Sequence, residues 1–349
     1  MASIQASQLG DLLKTTLREL GRGRFTAIMS DLQEHWAMKN LLRKSNVDIQ
    51  SGTAIQFDVV VSHSDSARNV GQGEVDVVNM NDGTIQGYID WRQTTCNFAI
   101  IANEIDMNRD PARIVDLYKV RRVRALTAAA EIFESNFWDF PAATDTKTPF
   151  GLPYWATKSS STTGGFLGGI PSGYSAVANI SPTTYSRWNN WACQYATVSE
   201  DDFVRKAREA ATKTDFKPPV EGITDFDTGG GYGFFANYTV VGRLEELTKA
   251  QNENLGNDVA SQDGKTMFRR APVNYVPKLD SDTTDPFYGI NWGVMKTAFL
   301  RGWNARETHI PVKHDQHTVA VTHMDWQYNF ICYDRRRLMV LATGTTYPS

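Results

Sequence analysis

Cysteine is scarce: Cys96, Cys193 and Cys332 are the only three in 349 residues, and no two form a C-x-x-C pair. That spacing excludes a disulfide framework and a thiolate metal site, and leaves all three as small buried hydrophobes. Long apolar runs are also missing. The best, Phe98 to Ala102 and Leu338 to Ala342, fall far short of the roughly 20 residues a membrane span needs. The first residues, Met1 to Gln5, lack the basic and apolar regions of a secretory signal, so the chain is expected to be made and folded in a cytosol. No charge sign dominates. With a net charge of −3, any attraction to nucleic acid must come from a local patch.

What is present is an ordinary globular composition, 41% hydrophobic and 21% charged, over a length that suits two substructures with their own cores. The charge is unevenly spread. Residues 1–45 carry +3, residues 46–110 carry −7 from three basic and ten acidic side chains, and residues 111–135 carry +2. An acidic element therefore lies between two basic ones.

Leu9, Leu12, Leu13, Leu17 and Leu20 recur at the spacing of one helical face, which predicts an amphipathic helix over residues 8–20. A second helix is expected from Thr26 to Arg43. From Ala54 to His63 the period changes to two, with Ile55, Phe57, Val59 and Val61 alternating against Gln56, Asp58 and Val60, and a second extended stretch runs from Thr84 to Ile101. The turn signal Asn81-Asp82-Gly83 lies between them, so residues 46–110 read as one long acidic hairpin. A two-stranded ribbon is marginal in water and needs another surface to lie on. Asp110-Pro111 then starts a long helix. Its apolar stripe includes Ile114, Tyr118, Ala125, Ile132, Phe133 and Phe137, and its basic face carries Arg121, Arg122 and Arg124. Residues 142–190 look loop-like. Helices are expected over Glu200–Lys213 and Val241–Leu255, with a strand at Phe234–Val240 between them. The last 40 residues read as an antiparallel meander.

Motifs for chemistry fail on spacing. Gly264-Lys265-Thr266 would need glycine at Val259 to make a phosphate loop, and Gly229, Gly230, Gly231 and Gly233 precede a strand instead of opening a helix. His309, His314, His317 and His323 lack a spacing that gathers them. Asp280, Asp282 and Asp285 miss the glycine and the final glutamate of a calcium loop. Neither a nucleophile elbow nor a paired base accompanies Cys193. Nine Trp and thirteen Tyr would suit a sugar-binding groove, but cores and interfaces use such residues more often. The expectation is a protein with no catalytic residues, no cofactor and no metal.

One resemblance covers essentially the whole second half. It is carried by Pro149-Phe150-Gly151-Leu152-Pro153-Tyr154-Trp155, Trp188-Asn189, the segment Asp201 to Lys213, Leu244-Glu245-Glu246-Leu247 and Phe268-Arg269-Arg270-Ala271-Pro272-Val273. Tyr275-Val276-Pro277 with Asp280, Pro286-Phe287-Tyr288-Gly289-Ile290-Asn291-Trp292, and Asn329 to Arg336 complete it. In order and spacing these resemble the major capsid proteins of tailed bacteriophages with the Hong Kong 97-type fold. The resemblance implies an α+β fold. Its parts would be an N-terminal arm (1–45), an extended hairpin loop (46–110), a peripheral domain with a spine helix (111–141), an axial domain (142–308), and C-terminal strands returning to the peripheral domain (309–349). It further implies hexamers and pentamers of an icosahedral shell around double-stranded DNA, assembled in the host cytoplasm and carried in the virion. The partners would be a portal, with scaffold or decoration proteins, and DNA touched weakly at the inner surface; no membrane is involved. Encapsulin-like nanocompartment shells share the fold and stay open as an alternative, as does a carbohydrate-binding protein.

Two readings are specific to this chain. No lysine occurs between residues 45 and 112, so the isopeptide welding that some members make from the hairpin is not expected. The charge pattern places the acidic hairpin, with Asp65, Glu74, Asp76 and Asp82, over a neighbour's basic spine helix or arm, among Arg113, Arg121, Arg122 and Arg124. Ile55, Phe57 and Val59 are expected to supply most of the apolar affinity of that contact.

Overall fold

The computed structural model describes residues 35–42, 46–49, 52–62, 69–74, 83–101, 111–214, 232–252, 266–269, 271–310 and 318–348. The expected helix over residues 8–20 lies outside them. Of Thr26–Arg43, a helical turn at Met38–Leu42 is described.

The first sheet is organised on one long strand. β1 (Asn46–Ile49), β4 (Arg92–Ile101), β11 (Met295–Leu300), β12 (Arg306–Ile310) and β13 (Val319–Cys332) form it, with β2 (Ala54–Val60) and β3 (Thr84–Asp90) set apart as a separate antiparallel pair. β13 pairs antiparallel with β4 along ten residues, from Arg92 opposite Tyr328 to Ile101 opposite Val319. On its other side it pairs antiparallel with β11 and then β12. β1 adds to β11 in parallel.

Helix α1 (Pro111–Trp138) packs across this sheet. Its apolar stripe is the reason: Phe133 lies 5.1 Å from both Tyr328 and Phe330, Phe137 lies 5.2 Å from Phe330, and Tyr118 meets Phe98 edge-on at 5.2 Å. Ile132 does not belong to the stripe. It points outward and is 43% exposed, because the buried face runs through Ala125, Phe133 and Phe137.

The second sheet has seven strands in the order β5-β6-β14-β10-β7-β9-β8. They are β5 (Gly165–Gly168), β6 (Asn190–Gln194), β7 (Tyr232–Ala236), β8 (Met267–Phe268), β9 (Ala271–Tyr275), β10 (Phe287–Asn291) and β14 (Met339–Ala342). The short helix α2 (Leu152–Trp155) lies wholly in the core. Helix α3 (Arg205–Thr214) buries Ala207, Ala210 and Ala211, small side chains that let it approach the sheet closely. Helix α4 (Tyr238–Asn252) adds Val240 and Leu244 to the same cluster.

Four expectations need correction. Residues 46–110 do not form one hairpin: only β2 and β3 pair with each other, and after Trp91 the chain crosses to β13 as β4. The C-terminal residues are not one meander. β14 leaves the first sheet to pair in parallel with β6 and antiparallel with β10. All four of its residues are buried, as a continuous apolar run between two neighbours requires. Residues 142–190 contain β5 and α2 as well as loop. The expected strand Phe234–Val240 stops at Ala236, because Asn237 turns the chain into α4 by accepting the Val240 N–H at 3.1 Å. The second sheet thus draws on residues 165–291 and 339–342, while β11 and β12 belong to the first.

Candidate intersubunit surfaces

The β2–β3 pair has a register of Ala54 opposite Asp90 through Val60 opposite Thr84. Alternation sends Ile55, Phe57, Val59, Ile85 and Ile89 to one face. That face is not available to a neighbour. Ile55, Phe57 and Ile89 are buried in the chain's own main core, and Val59 and Ile85 pack against it. Phe57 meets Tyr333 at 5.8 Å and Trp155 and Trp188 at 6.5 Å each. A glycine is needed opposite it: a Cβ at Gly87 would stand 2.8 Å from the Phe57 ring. The Tyr88 N–H donates to the Ala178 carbonyl at 3.1 Å, pinning β3 to the loop beneath it. The expectation that Ile55, Phe57 and Val59 supply affinity between subunits is therefore overturned; they hold the hairpin to its own body.

The other face of the pair is open. It carries Gln56, Asp58, Val60, Thr84, Gln86, Tyr88 and Asp90, all exposed, with Val60 61% and Tyr88 47% exposed. This face is acidic with two large apolar side chains. Glu74, further out, is exposed and closes the local turn: its carboxylate accepts the Gly71 N–H at 2.8 Å. Asp65, Asp76 and Asp82 lie outside the described residues.

The basic residues of α1 divide by what they touch. Arg121 donates to the Ala99 carbonyl at 2.9 Å, joining the helix to β4. Arg122 pairs with Glu307 of β12 at 2.5 Å. The hydrogen bond and charge of Glu307 hold its guanidinium pKa above the ordinary value. Both therefore act within the chain. Arg124 is exposed, beside Lys119, Val123 (54% exposed) and Ile132. Arg113 falls near the start of α1, and its side chain lies outside the described set. The outer face of α1 is thus basic with two exposed aliphatics, the complement of the open hairpin face.

Three buried charges went unread in the sequence. Glu134 of α1 accepts the Ala37 N–H at 2.9 Å, the Met38 N–H at 3.2 Å and the Trp138 indole N–H at 2.7 Å, so it caps the helical turn that enters the described structure. Burial raises its pKa despite these donors. Lys158 donates to Asp282 at 2.5 Å, Thr284 at 2.7 Å and the Thr346 carbonyl at 2.7 Å, and lies over the Tyr347 ring. Arg335 is fully buried and its six acceptors are all uncharged: the carbonyls of Trp155, Trp188, Gly168 and Gly169, Thr157 Oγ1 and Asn190 Oδ1, at 2.8 to 3.2 Å. Desolvation lowers its pKa to about 10. Spacing gives little hint of them, since apart from the Trp138 indole one turn after Glu134 their partners are backbone groups or side chains remote in sequence. Among the described residues no group of three or more His, Cys, Asp or Glu is placed to hold a metal ion, and no helix is long and apolar enough to cross a membrane.

No family model matches the sequence, and no curated protein does either. Solved structures do. The cyanophage A-1(L) capsid subunit superposes with a TM-score of 0.62 at 13% identity, covering 94% of this chain and 98% of that one. The capsid of the native GTA particle gives 0.58 at 10% identity, covering 93% and 95%. The fold is that of the Hong Kong 97-type capsid proteins. A holo-encapsulin complex from Synechococcus elongatus has it too, with a TM-score of 0.50 at 10% identity over 93% of this chain and 95% of that one.

Proposed function

We propose that the chain is the major capsid protein of a tailed bacteriophage, a structural subunit and not an enzyme, which assembles into hexamers and pentamers of an icosahedral shell around double-stranded DNA. The observation that supports this reading is the likeness to phage capsid subunits, over 94% of this chain and 98% of the A-1(L) subunit. An empty or cargo-filled bacterial compartment is the second reading, supported by the encapsulin likeness; the higher scores of the phage shells favour the first. Portal, scaffold or decoration proteins would be the further partners, and the virion the final location.

Contacts between subunits in this reading use the open hairpin face. Asp58, Asp90 and Glu74, with Val60 and Tyr88, lie over a neighbour's α1 at Lys119, Val123, Arg124 and Ile132, and Asp65, Asp76, Asp82 and Arg113 extend the same charge pattern. Such a head-to-tail contact closes a ring when repeated about an axis. The test is expression of the full chain followed by light scattering and negative-stain microscopy, with nuclease-protected DNA assayed in particles from an infected host. Closed shells with protected DNA are expected. A monomer at micromolar concentration across salt conditions would overturn the shell reading, and shells enclosing an enzyme instead of DNA would transfer it to the compartment reading.

A further inference from the structure

Beneath α1 lies a half-open cavity of about 230 Å³. Its walls are aliphatic and aromatic: Met38 at the entry turn, Leu126, Ala129 and Ala130 on α1, and Trp326 on β13. Thr94 and Tyr328 also line it, but their hydroxyls are engaged with each other at 3.4 Å, and Tyr328 accepts from Asn136 at 3.2 Å. The groove wall is therefore mostly apolar, its two hydroxyls being bonded within the chain. An apolar cavity of about 150 Å³ already admits a benzene ring, so this one has room for one or two leucine side chains.

The occupant is indicated by where the chain goes. The described structure begins at His35, three residues before Met38 in the groove wall, and 34 residues precede it. Glu134 fixes the direction of entry by holding the N–H groups of Ala37 and Met38 against α1. Those 34 residues carry the leucine stripe Leu9, Leu12, Leu13, Leu17 and Leu20, an apolar face that must be covered in water. The stretch from Gly21 to Glu34, at up to about 3.3 Å per residue, spans far more than the distance back to the groove. Tethering also gives the segment an effective concentration in the millimolar range. We propose that this groove is the seat of the chain's own N-terminal segment, with the leucine face of residues 8–20 filling it. The arm then stiffens α1 from below while the outer face of α1 stays open, and this does not depend on the shell reading.

The experiment pairs Ala129→Cys with each of Leu9→Cys, Leu12→Cys, Leu13→Cys and Leu17→Cys in the full chain. The background is Cys96→Ser, because the Cys96 sulfur already lies 3.3 Å from the Ala125 carbonyl. Mild oxidation links cysteines only when their Cα atoms come within about 7 Å. Non-reducing electrophoresis of denatured chains scores the link whether or not particles form. At least one pair linked within a single chain is expected; links formed only between chains, or none in any of the four, would overturn the proposal. Independently, Ala129→Leu extends the wall into the groove and is expected to speed tryptic cleavage after Arg18 about tenfold, the behaviour of a segment released to open freely. An unchanged rate counts against the proposal.

Discussion

Beside the seven-stranded sheet two cations, Arg335 and Lys158, are buried, whereas on the outer face of α1 Lys119 and Arg124 are exposed. Arg335 and Lys158 are each surrounded by acceptors from segments far apart in sequence, so each acts as a joint between loops. Arg124 and Lys119, by contrast, stand on an exposed helix face, opposite in sign to the open face of the β2–β3 pair. The same residue types thus serve internal cohesion in one region and stand exposed in the other. What distinguishes Arg335 and Lys158 is that acceptors from distant segments converge on them, backbone carbonyls on Arg335 and the Asp282 carboxylate on Lys158, which offsets the cost of burying a charge.

The comparison breaks most visibly at Arg335. Arg335→Met leaves the carbonyls of Trp155, Trp188 and Gly168 without this donor, while the Gly169 carbonyl keeps the Thr157 hydroxyl. Each orphaned buried acceptor costs about 1–3 kcal/mol, so a loss on the order of 5 kcal/mol is expected in urea unfolding. A loss under 1 kcal/mol would show that the cage is ornamental. Phe57→Ala comes next. It should remove about 3 kcal/mol, as large aromatic truncations in cores do. It should also free the hairpin, read as faster hydrogen exchange across β2 and β3 with the second sheet unchanged. If the hairpin stayed protected, its docking would depend on Ile55 and Ile89 instead.

Much of this was legible in advance, and the misses have physical causes. Period-two alternation placed β2 and β3 correctly, yet alternation says only that one face is buried, not against what. A neighbour's surface would satisfy the same alternation, but Trp155, Trp188 and Tyr333 of the same chain cover that face. The run from Thr84 to Ile101 was extended throughout, but no local signal marks the change of partner at Trp91. β14 was foreshadowed by Met339-Val340-Leu341-Ala342, apolar at every position, which is the mark of a strand with neighbours on both sides. Glu134 was hidden because a carboxylate on a helix is ordinarily solvated, and only the fold brings the Ala37 and Met38 N–H groups to it, beside the Trp138 indole one turn along the same helix.

Glu134 also gives a pH-dependent prediction of intermediate size. Its folded-state pKa lies above the ordinary glutamate value of 4.5 because burial disfavours the charged form. Between the unfolded and folded values the native state holds the extra proton, so this group's contribution to stability is present at low pH and is lost as pH rises through the folded value. Melting curves of wild type and Glu134→Gln from pH 4 upward should therefore diverge, the wild type losing ground to the variant as pH increases. Parallel curves would mean that the three donors fully offset burial.

The smallest effect per residue, and the one that most sharpens the contrast, concerns the outward charges. Arg122 is committed to Glu307 and Glu74 to its own turn, so reversing either would confound local structure with assembly. Asp58 and Arg124 are the pair to reverse: both are exposed, Asp58 on the open face of β2 and Arg124 on the outer face of α1. Asp58→Lys is expected to leave the monomer's melting temperature unchanged, because an exposed charge contributes about 0–1 kcal/mol. It should slow assembly in low salt, where screening is weakest and opposite charges steer encounter most strongly. Adding Arg124→Glu should restore much of the rate if the two residues face each other across subunits, and should worsen it if each meets something else. Because the contact repeats at every subunit of a ring, a small change per pair is multiplied in the yield of closed particles. Light-scattering traces at two salt concentrations for the wild type, both single variants and the double variant decide it: recovery only in the double variant, and only at low salt, identifies the hairpin and α1 as charge partners.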